Sequence, residues 1–550
     1  LALTDEERNN EFIIYGGDDY QNLTYDCASL GEIIIKQLTE NSEKVTLIDG
    51  VSFREYTCGE ILEKSIEVAE CFRNVGLKSG DAIAIVCENR FEYLILIYAA
   101  LYLGITVAPI NVTYAEGELI HALSLTQPKF IFTSSLATKR IIKIHKQLKF
   151  PAKIIFFDKK DVTKNGQWFK DFVRKNKSQS MDISTFQPVI VDSERHTAFV
   201  MCSSGTTGLP KGVELTHFNI MVLFAHIREN DLIPRDGLIA SSVAPWFHTV
   251  GCFSLINFAV NGIKFVFLPK FEKLAFLNAI QKFQINYLVV VPPIVVMLAK
   301  DPIIKKYDLS SVKLIMCGAA PLSKESEIAV RKRLPDIVMI SQAYGLSETT
   351  LGVLSNKAPT DKVGTVGTVV RGTWCKVIDP ETGKILGPNE PGELCFKGNL
   401  IMKGYIGNNK ATVGTIDEDG WLHTGDIGYY DNDKDFFIVD RIKELIKYKA
   451  FQVPPAELEA LLLTHPKVQD VAVVGLPDEE CGEKPLAFVV RQDGVHCTEE
   501  EIIKFVAERT SPAKRLHGGV RFIKEIPKNP SGKILRRVLR DKVSKPKSKL

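Results

Sequence analysis

Apolar runs and amphipathic stretches alternate through the first two-thirds of the chain. Short, continuous apolar runs at 82–86, 129–133, 153–157, 198–202, 264–268, 287–291 and 313–316 read as buried strands. Between them lie longer segments with helical spacing, among them 58–74 and 324–333. Strands that alternate with helices predict α/β layers with mostly parallel sheets. One stretch, 93–115, carries no charged residue and is long enough to span a bilayer. Gly104, Pro109, Asn111 and Thr113 interrupt it, so it reads as a buried helix to about Leu103 followed by a short strand near 105–109, with no transmembrane segment. Residues 158–195 are polar and irregular and predict a subdomain seam.

Near 363 the pattern changes. Short strands at 375–378, 393–397 and 436–439, separated by turns rich in Gly, Asp, Asn and Pro, predict a small antiparallel β unit. From Arg441 a further shift brings a helix at 455–463, strands at 468–475 and 486–490, and a helix at 498–509, a compact α+β unit. The expected division is therefore 1–440 and 441–550, with a mobile junction near 440–443. The last stretch, 528–550, holds nine Lys or Arg against one acid, Asp541, and reads as a solvated tail. No aromatic residues interleave there for base stacking.

The composition is that of a globular protein. Of the 550 residues, 45% are hydrophobic and 25% charged, which excludes a disordered or fibrous chain. With 69 basic and 66 acidic residues the formal charge is +3, which gives no reason to expect nucleic acid as a partner. The eleven cysteines are an odd number with no C-x-x-C spacing, so they read as reduced thiols and not as a disulfide framework or zinc site. The sequence begins LALTDEERNN, polar and acidic, unlike a secretory signal.

Four blocks carry chemistry. The first is Ser203-Ser204-Gly205-Thr206-Thr207-Gly208-Leu209-Pro210-Lys211-Gly212, directly after an expected strand. Its hydroxyls, glycines and lysine form a loop dense in hydrogen-bond donors, suited to phosphate oxygens. It lacks the spacing of a Walker A loop. The second is Tyr344-Gly345-Leu346-Ser347-Glu348-Thr349-Thr350, which brings an aromatic ring, a hydroxyl and a carboxylate onto one loop; alone it is a turn leading to a helix cap. The third pairs Gly425-Asp426 with Arg441, fifteen residues on, as acceptor and donor for a ribose. The fourth is Pro530-Ser531-Gly532-Lys533, where glycine frees a lysine to enter a site. His248 sits among Trp246, Phe247 and Val250, a setting common for a core histidine.

In this order and spacing the four blocks resemble the adenylate-forming superfamily of acyl-CoA synthetases, 4-coumarate–CoA ligases and beetle luciferases, over nearly the whole chain. The run IVDRIKELIKYKAFQVPPAELE is most similar to the insect branch of luciferases and fatty acyl-CoA synthetases. The resemblance implies a large N-terminal domain and a small C-terminal lid, with ATP and Mg²⁺ as cofactors and CoA as co-substrate. It implies that Ser203 to Lys211 grip the pyrophosphate end of ATP, and that Gly318, Ala319 and Ala320 line the adenine pocket with Gln342, Tyr344 and Gly345. Glu348 would hold Mg²⁺, Ser347 would touch the α-phosphate, and Asp426 and Arg441 would hold the ribose. His248 would stand at the acyl end, beside a substrate pocket of Leu223, Thr249, Val250 and Leu351. Lys533 would serve adenylation, Lys447 would replace it after lid rotation, and Lys443 matches the hinge.

Beetle luciferases carry arginine at the position of Leu223, serine at that of Leu351, and glycine at that of Thr249. A medium- or long-chain fatty acid is therefore the expected substrate, with luciferin oxidation or an aryl acid as the alternatives. The family usually has glycine where Ala450 stands. The last three residues, Ser548-Lys549-Leu550, match a peroxisomal address read by an import receptor.

Overall fold

The computed structural model describes the chain except for residues 1–2, 5–6, 8–9, 18–26, 179–181, 204–208, 229–236, 321, 323, 357–358, 361, 450, 479, 493, 530–531 and 545–550. Four sheets carry the fold. The first has eight strands in the order Gly404–Tyr405, Lys211–Thr216, Thr197–Ser203, Thr106–Pro109, Ala82–Val86, Phe130–Thr133, Lys153–Phe156 and Gly166–Trp168. From Thr197–Ser203 to Gly166–Trp168 every neighbouring pair is parallel. The second has nine strands, with Leu314–Cys317, Tyr287–Val290, Ile239–Ser242 and Lys264–Phe267 at its parallel centre. Both are α/β layers, as the alternation of strand and helix implied.

The uncharged stretch resolves as a helix, Phe91–Tyr102, and a strand, Thr106–Pro109. Ten of the helix's twelve residues, Tyr93 to Tyr102, are buried, so it is apolar all round because it is packed on all sides. No helix among the described residues is long and apolar enough to cross a membrane.

Two sequence expectations need correction. Residues 158–195 are not irregular throughout: Gly166–Trp168 adds the edge strand of the first sheet, and helix Phe169–Asn176 buries Phe169 and Phe172. The short polar elements hid this, because only Phe169 and Phe172 of the helix are buried, with Val173 partly so. Nor is the basic segment after 528 simply a solvated tail. Arg536–Ser544 is a helix whose Leu539 is fully buried. Arg536 lies buried between Glu459 (Nη2 to Oε2, 3.0 Å) and Glu444 (Nε to Oε2, 3.0 Å), and Lys528 pairs with Asp470 at 2.7 Å. Like charges that looked solvated in sequence are neutralised by carboxylates distant along the chain.

The third sheet is the expected antiparallel unit, ordered Ile14–Tyr15, Thr373–Ile378, Gly392–Gly398, Leu422–Tyr430 and Phe436–Arg441. Its first strand comes from the N-terminal segment, a pairing no local pattern indicated. The fourth sheet builds the C-terminal unit from Phe451–Val453, Ile446–Tyr448, Gly482–Arg491 and Val468–Asp478, with Gly519–Phe522 beside Gly482–Arg491.

Candidate active site

The first, second and third sheets and a loop from the C-terminal unit meet around a cavity of about 650 Å³. Its walls include Ser203, Lys211, Leu223, His248, Thr249, Val250, Gly318, Ala319, Tyr344, Gly345, Ser347, Glu348, Leu351, Asp426, Arg441, Lys443 and Lys533. Residues separated by more than 300 positions therefore share one space. Ser204 to Gly208, the centre of the first block, lie outside the described residues. Ala320 and Gln342 are not among the lining residues; Gln342 is buried, and its Oε1 accepts the Leu322 amide at 3.0 Å. Lys447 is exposed on strand Ile446–Tyr448, away from the cavity. Ala450 is outside the described residues, and Lys449 before it has φ +55°, the left-handed conformation.

The ribose pair follows from strand register. Asp426 lies opposite Arg441 in the antiparallel pair Leu422–Tyr430 and Phe436–Arg441. Arg441 Nε is 3.1 Å from Asp426 Oδ1, and the Tyr344 hydroxyl donates to Oδ2 at 2.7 Å. Among the described residues Oδ1 accepts no aligned hydrogen bond although it is buried. An acceptor with a spare lone pair, facing a cavity, suits a sugar hydroxyl. Burial raises the Asp426 carboxyl, and Arg441 opposes that rise.

Tyr344 begins a sharply folded loop. A Cβ on Gly345 would lie 1.6 Å from the Leu351 carbonyl oxygen, so only glycine fits. After Ser347 and Glu348, Thr350 adopts φ 63°, ψ −53°, and the Leu351 amide bonds back to the Thr349 carbonyl at 2.6 Å. That is a γ-turn with positive φ, a strained conformation held here by the Thr350 hydroxyl on the Leu400 carbonyl at 2.6 Å. The turn lets Ser347, Glu348 and Leu351 all reach the cavity from five consecutive residues.

Glu348 is fixed by a residue the sequence did not single out. The Tyr405 hydroxyl donates to Glu348 Oε1 at 2.9 Å, and Lys211 Nζ lies 4.3 Å from the Tyr405 ring centroid. Strand pairing explains this: Gly404–Tyr405 runs beside Lys211–Thr216, with Tyr405 opposite Val213. Glu348 thus offers a hard carboxylate oxygen beside a lysine. One carboxylate with nucleotide phosphates and waters is a donor set that suits Mg²⁺.

Lys533 follows Gly532, whose φ is +82° and on which a Cβ would meet Val291 and Pro293. Burial lowers the Lys533 ammonium to about 8, Arg441 adds repulsion, and Asp426, Glu444 and Glu348 pull the other way. His248 occupies the N-cap position of helix Thr249–Val260 and is half-buried, with its ring against that of Phe247. Burial, with Lys533 nearby, lowers it to about 4, so its imidazole is neutral near pH 7. Beyond it the cavity is walled by Leu223, Val250, Phe258, Ile263, Met316 and Leu351, with Ser254, Asn257 and the Tyr287 phenol as polar members.

One cavity that gathers the Asp426–Arg441 pair, Glu348, Lys533 and an apolar wall fits an adenylate-forming enzyme. The chain belongs to the AMP-binding enzyme family: the AMP-binding enzyme model matches residues 35–406, and the AMP-binding enzyme C-terminal domain matches 457–533. It is 41% identical over 524 residues to a luciferin 4-monooxygenase of Nipponoluciola cruciata, covering 94% of this chain and 95% of that one. It is 39% identical over 518 residues to 4-coumarate–CoA ligase 2 of Petroselinum crispum, covering 92% and 93%. The crystal structure of the anthranilate CoA ligase AuaEII in complex with anthranoyl-AMP superposes with a TM-score of 0.85 at 23% identity, covering 94% of this chain and 97% of that one.

Proposed function

We propose that this enzyme is an ATP-dependent acyl-CoA synthetase acting on a medium- or long-chain fatty acid. The observation that carries the reading is the apolar limb beyond His248. Leu223 and Leu351 stand there, and its described lining residues carry no charge. An alkyl chain gains roughly 0.8 kcal/mol for each CH₂ buried in such a limb. A polar aromatic acid finds fewer partners and is discriminated against.

In the first half-reaction a carboxylate oxygen attacks the α-phosphorus of ATP, and the bond to pyrophosphate breaks. The carboxylate is already ionised near neutral pH, so no general base is required. Lys533 stands where charge develops on the phosphate, and Ser347 is placed to donate to it. Asp426 and Arg441 hold the sugar, and Tyr344 orients Asp426. Neutral His248 bounds the carboxylate end without adding a charge that would favour an unreactive pose. Glu348, oriented by the Tyr405 hydroxyl, would hold Mg²⁺, which would neutralise phosphate charge when bound. In the second half-reaction the CoA thiol attacks the acyl carbonyl, forming the thioester and releasing AMP. We assign that step to Lys447, brought in by rotation of residues 441–550 about Lys443.

The test is pyrophosphate release across a series of carboxylic acids, with and without CoA. Efficiency should rise with fatty-acid chain length until the limb is full, and thioester should form only with CoA. The second reading is a luciferase, favoured by the 41% identity to a luciferin 4-monooxygenase. Light from luciferin, with flat and negligible activity on fatty acids, would establish it instead. We further propose a peroxisomal location through Ser548-Lys549-Leu550, which lie outside the described residues. A tagged chain should be punctate and become diffuse when these three residues are removed; puncta that survive the deletion would exclude the address.

A further inference from the structure

Beside the ribose acceptor lies a group of side chains that the adenylation chemistry does not use. Strands Gly392–Gly398 and Leu422–Tyr430 are antiparallel, with Cys395 directly opposite His423 and Glu393 opposite Ile427. Between these pairs the single residue Leu394 faces three, Thr424, Gly425 and Asp426, which is a bulge in the second strand. Gly425 takes φ +69° there, and its amide donates to Glu393 Oε1 at 2.8 Å. The bulge turns Glu393, Cys395 and His423 toward one point. Among the described residues, these three are the one group of His, Cys, Asp or Glu whose ligand atoms all lie within 4.8 Å of one another.

The spacing is that of a tetrahedral metal site. His423 Nδ1 is 3.6 Å from Cys395 Sγ and 3.2 Å from Glu393 Oε2. A tetrahedral Zn²⁺ with ordinary Zn–S, Zn–N and Zn–O bonds has S···N edges of about 3.5 Å and N···O edges of about 3.3 Å. The outer ring is also built. His423 Nε2 lies 3.3 Å from Asp417 Oδ2, and Asp417 Oδ1 accepts the Trp421 amide at 2.8 Å. A carboxylate on the far nitrogen of a ligating imidazole is the usual way a protein fixes the ring. The thiol is fully buried, while the His423 side chain is 33% exposed and lines the nucleotide cavity with Glu393.

We propose that Glu393, Cys395 and His423 form a binding site for a zinc-class divalent cation, oriented by Asp417, with its fourth position facing the nucleotide cavity. Thiolate, imidazole and carboxylate together favour a borderline-soft ion over Mg²⁺, which takes oxygen ligands. The site is distinct from Glu348. It adjoins the ribose acceptor, because the bulge that seats Glu393 on Gly425 also presents Asp426. In the metal-free protein the imidazole bridges Glu393 and Asp417, and the ion replaces the Nδ1 contact with Glu393.

The full-length protein should be titrated with Co²⁺ and followed by absorbance for a cobalt–thiolate charge-transfer band, then with Zn²⁺ against a chromophoric chelator. One equivalent of cobalt should produce the band, and one equivalent of Zn²⁺ should abolish it. Cys395→Ser should lose the band, and His423→Gln should bind Zn²⁺ at least about tenfold more weakly. Asp417→Asn leaves the buried thiol and both other ligands in place, so it tests the site even if Cys395→Ser does not fold. Its Zn²⁺ affinity should fall by about 10- to 100-fold. No band at one equivalent, a band that survives Cys395→Ser, or wild-type affinity in Asp417→Asn would each overturn the site and leave the cluster a hydrogen-bonded network.

Discussion

The Lys533 ammonium lines the cavity and its ionisation falls near working pH. Burial and Arg441 bring it down to about 8, so in the free enzyme it is mostly charged at neutrality. Only the charged form can stabilise the transferring phosphate. Activity that depends on it is present below about pH 8 and is lost as the pH rises through that value. Between one unit below and one unit above, the charged fraction falls roughly tenfold, and kcat/KM for ATP should fall with it. Bound triphosphate favours the ammonium, so the alkaline limb of kcat should lie higher than that of kcat/KM. Replacing Lys533 by Ala removes the donor, for a loss of about 10²–10³ in acyl-AMP formation, or about 3–4 kcal/mol. Lys533→Arg keeps a charge that does not titrate, so the alkaline limb should vanish even where the rate is reduced. The assay is pyrophosphate release across the pH range, with supplied acyl-AMP and CoA as the control for the second half-reaction. An unchanged alkaline limb in Lys533→Arg, or a loss under tenfold in Lys533→Ala, would refute this role.

Three further outcomes follow from particular contacts. Tyr405→Phe removes the hydrogen bond to Glu348 but keeps the ring beneath Lys211; a bond to a charged group is worth about 1.5–3 kcal/mol, so the Mg²⁺ concentration for half-maximal rate should rise about tenfold or more with little change in thermal stability. Gly345→Ala drives a methyl group into the Leu351 carbonyl, so thermal unfolding should shift down by an amount equivalent to roughly 1–3 kcal/mol and adenylation should be lost, as read by calorimetry and pyrophosphate release. Leu351→Ser places a hydroxyl in the apolar limb, so kcat/KM for long acyl chains should drop more than for short ones, while any luciferin activity should improve; equal losses at every chain length would place Leu351 away from the alkyl chain.

The elements with strong local pattern were legible before any coordinates. The helices Cys58–Asn74, Lys324–Arg333 and Pro455–Leu463 and the strand Ala82–Val86 stand where periodicity put them, because each buries one face or a whole short run. The four motif blocks were also legible, since glycine, hydroxyl and charged residues crowd there beyond what packing requires. Phe91–Tyr102 was legible as a buried helix only because Gly104, Pro109, Asn111 and Thr113 break the uncharged run; which elements surround it was not. Nor could local pattern show Arg536 neutralised by Glu444 and Glu459, partners 92 and 77 positions away.

The site divides in the same way. Asp426, Arg441, Glu348 and Lys533 stood in motifs whose set resembled a family, and the resemblance assigned their roles. Tyr405 did not, because its role rests on a two-residue strand pairing with Lys211–Thr216. Glu393, Cys395 and His423 did not, because their convergence depends on a bulge and a register that bring together residues about thirty positions apart, outside any metal-ligand spacing a sequence scan recognises. The sequence by itself determined which short segments are strands or helices and which loops carry donors, since those depend on neighbours a few residues away. Tertiary structure alone decided which carboxylate is fixed, which lysine is desolvated and which thiol meets an imidazole, since hydrogen bonds, burial and charge act over a few ångströms of space.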